Sequence, residues 1–233
     1  FLASFFALIF TSTPSFALAP SVIGPTGLIR MPTADVLRSK DFNLALDYGF
    51  DFQDTSGGRL PQRGIIRYKG NLGAMPGLEL GLIGQTDKGT DRFKDGVFIN
   101  MKYGLTSGDA AHPLRLAIGV ENLTSSGEAD VYLVASQRMK HGYSLHFGAM
   151  FDFLQGNFRP LGMLGVTLPY FNGVLEIIGE AFAGENLFQA DAGLRIMITP
   201  DVGLGLHVLN LTNSPTAKNI QGATLGFSWQ NPF

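Results

Sequence analysis

The chain contains no cysteine, which excludes disulfides, thiolate metal sites and cysteine nucleophiles together. Charge is scarce as well: 15% of the residues are Asp, Glu, Lys or Arg, against about 25% in ordinary soluble domains. With 17 basic and 19 acidic residues the net charge is −2, and no basic block occurs. A nucleic-acid partner therefore has no electrostatic footprint. Long apolar runs are missing after residue 20, although 45% of the chain is hydrophobic, so helical membrane spans of about 18 residues are excluded. No glycine loop precedes a helix to cradle phosphate. What the chain has in quantity is glycine, 30 residues, and phenylalanine, 19. Gly is poor in helices and Phe favours strands. High apolar content without apolar runs is what alternating strands produce.

The stretch Phe42–Gln53 (FNLALDYGFDFQ) shows the pattern most clearly. Phe42, Leu44, Leu46, Tyr48, Phe50 and Phe52 alternate with small or polar residues, giving one greasy and one wet face. Similar segments follow near 64–72, 78–86, 97–106, 113–122, 129–139, 142–153, 160–169, 173–183, 187–199, 201–210 and 220–230, making twelve. No helical pattern separates them, which excludes parallel β-α-β organisation. The fold expected is all-β: a closed antiparallel transmembrane β-barrel of about twelve strands, with ten to fourteen compatible. Odd-numbered connections such as Asp54–Arg63, Asp87–Gly96, Leu154–Arg159 and Leu211–Asn219 read as long and polar. Even-numbered ones such as Ala74–Gly77, Lys140–His141, Tyr170–Asn172 and Pro200 read as tight. That asymmetry predicts long loops outside, short turns in the periplasm and both termini periplasmic, in a bacterial outer membrane with its lipid as the surrounding partner.

Three regions follow from this reading. Residues 1–17, with the apolar run Phe1–Phe10 and the small-residue site Ser15-Phe16-Ala17, are expected to be part of a signal peptide. Residues 18–41 do not alternate and are expected to form a periplasmic leader or a plug. A short helix is predicted there through Ala34, Val36 and Leu37, with Thr33 as its N-cap. The barrel itself is expected over 42–233. Its last strand, through Phe227, Trp229 and Phe233, resembles the terminal strand by which outer-membrane barrels are recognised, which implies the barrel-assembly machinery as a partner.

If the apolar residues face lipid, the alternate positions line the lumen. Candidates are Asp47, Arg67, Lys69, Glu79, Lys102, Arg115, His146, Glu176, Glu180 and Arg195. Both signs occur, compatible with a hydrated, neutralised interior or with a charge-selective pathway. Ser144 and His146 lie two apart on one strand and point inward together, without a G-x-S-x-G elbow, so no hydrolase is read from them. Glu176 and Glu180, four apart on a strand, are separated by about 13 Å, too far for a retaining carboxylate pair. The four histidines show no metal-ligand spacing. No catalytic residue, cofactor or metal site is expected. The leader's Leu28, Ile29, Met31, Val36 and Leu37 need cover, and Arg67, Lys69, Glu176 and Glu180 are expected to offer partners to Arg30, Asp35 and Arg38.

The segment Gly24–Leu37 (GPTGLIRMPTADVL), ahead of the first strand, resembles the start of the YjbH-like outer-membrane proteins. In that family a G-L-I-x-x-P-T-A element precedes a barrel, and Gly27, Leu28, Ile29, Pro32, Thr33 and Ala34 carry the match. The resemblance implies an outer-membrane barrel associated with exopolysaccharide or capsule export, with polysaccharide export proteins as partners. This chain would be a short, single-barrel version without the lipobox cysteine. Passage of a polar solute or polysaccharide is thus the first functional reading. A general narrow porin or a purely structural envelope barrel is the second.

Overall fold

The computed structural model describes residues 18–52, 64–87, 93–106, 113–125, 128–139, 142–154, 157–213 and 221–231. The expected signal peptide and Phe233 lie outside them, as do most residues of the long connections. Twelve strands follow in order: β1 (Phe42–Asp51), β2 (Gly64–Met75), β3 (Leu78–Asp87), β4 (Phe93–Thr106), β5 (Leu114–Glu121), β6 (Glu128–Arg138), β7 (Ser144–Leu154), β8 (Asn157–Tyr170), β9 (Leu175–Gly184), β10 (Leu187–Thr199), β11 (Val202–Leu209) and β12 (Gly222–Asn231). Each pairs antiparallel with its neighbours, and β1 pairs with β12 from Phe42↔Asn231 to Asp51↔Gly222, so the sheet closes as a barrel. Closure leaves no edge of unpaired backbone groups, the condition for a sheet in hydrocarbon.

The alternation sets the two surfaces. Leu44, Leu46, Leu82, Ile118, Phe147 and Leu225 project outward and are exposed. Their neighbours Asn43, Asp47, Ile83, Ala117, His146 and Thr224 project inward and are buried. A ten-residue strand such as β1, at about 3.4 Å per residue and a tilt near 40°, rises roughly 26 Å, close to the ~25 Å apolar band of membrane barrels. No helix among the described residues is long and apolar enough to cross a membrane. Trp229 packs edge-on against Phe42 at 5.3 Å between ring centroids, which joins the first and last strands on the outer face. At mid-height on that face, Leu46→Arg is expected to lower barrel stability by about 2–4 kcal/mol in denaturant titrations in lipid vesicles, the cost of a guanidinium at the bilayer midplane.

Two expectations are corrected. Leu154–Arg159 is not a long loop: β7 runs to Leu154 and β8 starts at Asn157, with Leu154 paired to Asn157. Phe151 and Phe158 stack across that hairpin, and Arg159 reaches Asp152, so pairing outweighs the polar composition. Likewise β4 begins at Phe93, inside the stretch predicted as loop. The end opposite the chain's described termini therefore carries short hairpins as well as long loops. The other correction concerns Thr33–Leu37, which forms no helix. The N–H groups of Ala34 and Leu37 go to barrel side chains and that of Thr33 to the Thr26 carbonyl, so tertiary acceptors compete with an i→i−4 ladder.

Candidate functional site: an occupied lumen

Residues 18–37 lie inside the barrel. Ser21, Thr26, Ile29 and Met31 have no exposure at all, and Val22, Leu28, Ala34 and Leu37 are nearly as enclosed. The segment enters at the end of the barrel where β1 begins and β12 finishes. There Leu18 N–H donates to Gln230 Oε1 at 2.6 Å, and Asn43 Nδ2 donates to the Leu18 carbonyl. It rises to Gly24, crosses the lumen and returns to the same end at Arg38–Lys40, which are exposed. Lys40 N–H then donates to the Gly73 carbonyl and Gly73 N–H to the Asp41 carbonyl, leading into β1. The segment is a re-entrant loop, held in shape by bridges between Pro20 and Thr26 and between Gly27 and Pro32.

The segment bonds its own backbone at several points, and the barrel wall takes many of the main-chain groups that remain. Glu180, on β9, accepts three successive N–H groups, from Ile29 at 3.0 Å, Arg30 at 2.7 Å and Met31 at 3.1 Å. Successive N–H groups converging on one anion form a nest, and bonds to a charged acceptor are the strong kind. Across the lumen, Glu79 accepts from Thr26 N–H at 2.9 Å, from its hydroxyl at 2.8 Å and from Leu37 N–H at 3.2 Å. Lys102 lies 3.4 Å from Glu79 and donates to the Thr26 carbonyl at 2.9 Å. Lys69 is paired with Asp47 and donates to the Ser21 carbonyl at 2.7 Å. Asn71 and Asn100 donate to the carbonyls of Gly24 and Ile23. Arg195 pairs with Glu176 at 3.1 Å and reaches the Gly27 carbonyl at 3.3 Å. Each of these charges is enclosed, where an unpaired one would cost several kcal/mol.

One arc of the wall is apolar on its inner face. Ala117, Tyr132, Val134, Met150, Met163, Ile178 and Phe182 form one cluster with Val22, Leu28, Ile29, Met31 and Ala34 of the segment. Gly165 completes the fit, because a Cβ there would lie 2.3 Å from Leu28 Cδ1. Gly24 is a strained point of the segment. It has φ +119°, and an added Cβ would stand 2.2 Å from Asn100 Nδ2. Gly24→Ala is therefore expected to speed amide exchange of residues 21–31 by about tenfold or more while leaving strand amides unchanged, as read by hydrogen–deuterium exchange.

The structure places the predicted lumen residues as follows. Asp47, Lys69, Glu79, Lys102, Glu176, Glu180 and Arg195 contact the segment or pair with a residue that does. Arg115 pairs with Asp35. Arg67 lies on the inner wall beside Gly49. The partners expected for the segment's charges are partly different. Asp35 finds Arg115; the Arg30 guanidinium lies over the Phe182 ring at 5.2 Å while its N–H goes to Glu180; and Arg38 stays exposed at the mouth. His146 bonds Ser136, directly opposite on β6, rather than Ser144: Nδ1 and Oγ are 2.8 Å apart. Ser136 is fully buried and also accepts the Ala34 N–H at 2.8 Å, so its oxygen is engaged and shielded from any substrate. Sequence reasoning overlooked Ser136 and Asn71, whose inward parity alone could have marked them; Asn100 is expected from its parity to face the lumen, and it does. Among the described residues no group of three His, Asp or Glu side chains could hold a metal ion.

Toward the turn end the segment roofs a cavity of about 840 Å³, lined by its returning limb, by Arg115, His146 and Glu176, and by turn residues Gly77, Gly142 and Pro200. Comparison with known proteins gives a fold likeness only. No family model and no curated protein matches the chain. Among solved structures it is similar to the KdgM porin, with a TM-score of 0.56 at 11% identity over 81% of this chain and 99% of that one. It is also similar to the NanC porin, with a TM-score of 0.55 at 12% identity over 82% of this chain and all of that one.

Proposed function

We propose that the chain is a bacterial outer-membrane barrel of the porin kind whose conduit is closed by its own N-terminal segment, and that it conducts a polar solute when the segment withdraws. The observation that carries this reading is the re-entrant loop of residues 18–37, buried in the lumen and tied to the wall through its backbone. An apolar outer band and a lumen lined with charge support the membrane setting. The porin fold of the KdgM and NanC neighbours is compatible with passage rather than catalysis. Both limbs of the loop leave by the same mouth, so it can withdraw without unpairing any strand. Association with exopolysaccharide export rests on the likeness of Gly27–Ala34 to the YjbH-like element, and it names the kind of solute that element accompanies.

The competing reading, an unobstructed narrow pore, predicts a different electrical signature. A twelve-stranded barrel is wider than the filled eight-stranded type, so an empty lumen would pass ions steadily. In planar bilayers the intact chain is expected to be silent or to open only in brief bursts. Steady conductance at rest would overturn the closed-conduit reading in favour of the open pore.

A further inference from the structure

The wall's charges stay in place when the segment withdraws, whereas the segment's own charges move with it. Residues 18–37 carry two, Arg30 and Asp35. They lie at different depths. Asp35 pairs with Arg115, the second residue of β5 from the turn end, close to the mouth by which the segment leaves. Arg30 sits at the tip of a tight turn in which Leu28 N–H donates to the Met31 carbonyl at 2.9 Å. Its guanidinium lies over Phe182, the eighth of ten residues in β9 from the same end, so it reaches the far third of the wall. The side chain is 6% exposed, and no ion pair among the described residues ties it to the barrel. Arg38 and Lys40 are already outside, exposed at the mouth.

We propose that the segment is a voltage-sensitive gate and that Arg30 is its sensing charge. A potential negative on the turn side draws the tip out and opens the conduit; the opposite potential seats it. The inference rests on the closed-conduit reading and adds to it what controls opening. A potential across the closed barrel falls along the occupied lumen, where the resistance lies. One elementary charge carried through the whole of that drop changes an equilibrium about fifty-fold per 100 mV. On withdrawal Arg30 crosses roughly three-quarters of the span, judged from its place on β9, and Asp35, of opposite sign, crosses only the first part. The net effect is about tenfold per 100 mV. Residues 18–37 contain no helix, so no macrodipole adds to the two side chains. The force also acts where the segment is gripped, because Glu180 holds the N–H of Arg30 itself together with those of Ile29 and Met31.

The test records single barrels of the intact chain in planar bilayers and compares the fraction of time open at about 100 mV of either sign. A Lys40→Cys barrel identifies the compartment on the turn side, because its exposed thiol reacts with an impermeant maleimide added there only. The expected open fraction is about tenfold or more higher with the turn side negative. Arg30→Gln should bring the two signs within about twofold of each other, and Arg30→Glu should reverse the preference. Lys40→Cys, whose charge lies outside the drop, should keep the ratio of the intact chain. Loss of the Arg30 contact with Phe182 loosens the segment at both signs alike, so a merely structural role leaves the ratio where it was. If Arg30→Glu does not assemble, Arg30→Gln still decides. The inference is overturned if bursts of the intact chain ignore the sign of the potential, or if Arg30→Gln keeps the asymmetry. Silence at both signs, in a chain whose deletion of residues 20–38 conducts, overturns it too and leaves the closed-conduit reading standing. Steady conductance at every potential overturns both.

Discussion

Deleting residues 20–38 is expected to convert a silent barrel into a steadily conducting one. The ladder that closes the barrel runs through β1 to β12, including the β1–β12 seam, and none of its pairs involves the deleted residues. Assembly, read as heat-modifiable migration or strand content by circular dichroism, should persist. The charges that now hold the segment (Glu79, Lys102, Glu180 and Arg195) would then meet water in an open lumen instead of being stranded in a dry one, so the desolvation penalty of an unpaired buried charge does not arise. The exposed inner patch of Tyr132, Val134, Met150 and Phe182 costs some stability, at about 25 cal/mol per Å² of apolar surface returned to water. Single-channel recording and antibiotic susceptibility of cells carrying the deletion supply the two measurements. An assembled deletion variant that stays silent would show that something other than this segment closes the lumen.

The second large effect is expected at Glu180. Glu180→Gln keeps the shape of the side chain but replaces one carboxylate oxygen by an NH₂ group, turning donor against donor at the Arg30 N–H or at those of Ile29 and Met31 and removing the charge from all three bonds. Hydrogen bonds to a charged partner are each worth about 1.5–3 kcal/mol, so weakening this nest by roughly 3–4 kcal/mol should speed exchange of those three amides by about 10²–10³. Conductance should appear as frequent short openings rather than the steady level of the deletion, because Glu79, Lys102 and Lys69 still hold the ascending limb. Glu176→Gln is the useful contrast: Glu176 pairs with Arg195 and takes no part in the nest, so exchange at Ile29–Met31 should change little.

Strand number, order and closure were legible in the sequence because alternation over ten or more residues has one physical reading, a sheet with unlike faces. Strand ends were less legible. Asn157 and Arg159 look like loop residues by composition, yet a hairpin that stacks Phe151 on Phe158 makes them strand. Alternation also hid the apolar arc. On β6 to β9 the inner positions Val134, Met150, Met163 and Phe182 are as greasy as the outer ones, so a polar lumen was read where part of the wall is a cradle for Ile29 and Met31. The apolar residues of the leader announced a need for cover without saying where. That Thr33–Leu37 forms no helix could not be read locally, because the competing acceptors, Glu79 and Ser136, stand 42 and 102 residues away in the chain. Cross-strand register, which brings Ser136 opposite His146, was available only once the hairpins were set.

The account stands or falls on whether the segment fills the lumen in the assembled barrel, and the absence of native cysteine makes that directly measurable. With Ile29→Cys and Lys40→Cys variants reconstituted in lipid vesicles permeabilised to give a thiol reagent access to both mouths, the reaction rate with a bulky hydrophilic maleimide reports enclosure. Ile29 has no exposure whereas Lys40 is exposed at the mouth, so the thiol at 40 should react fully while that at 29 stays unmodified until the barrel is unfolded. Equal labelling of the two thiols in the folded barrel would place the segment outside the lumen and contradict the account.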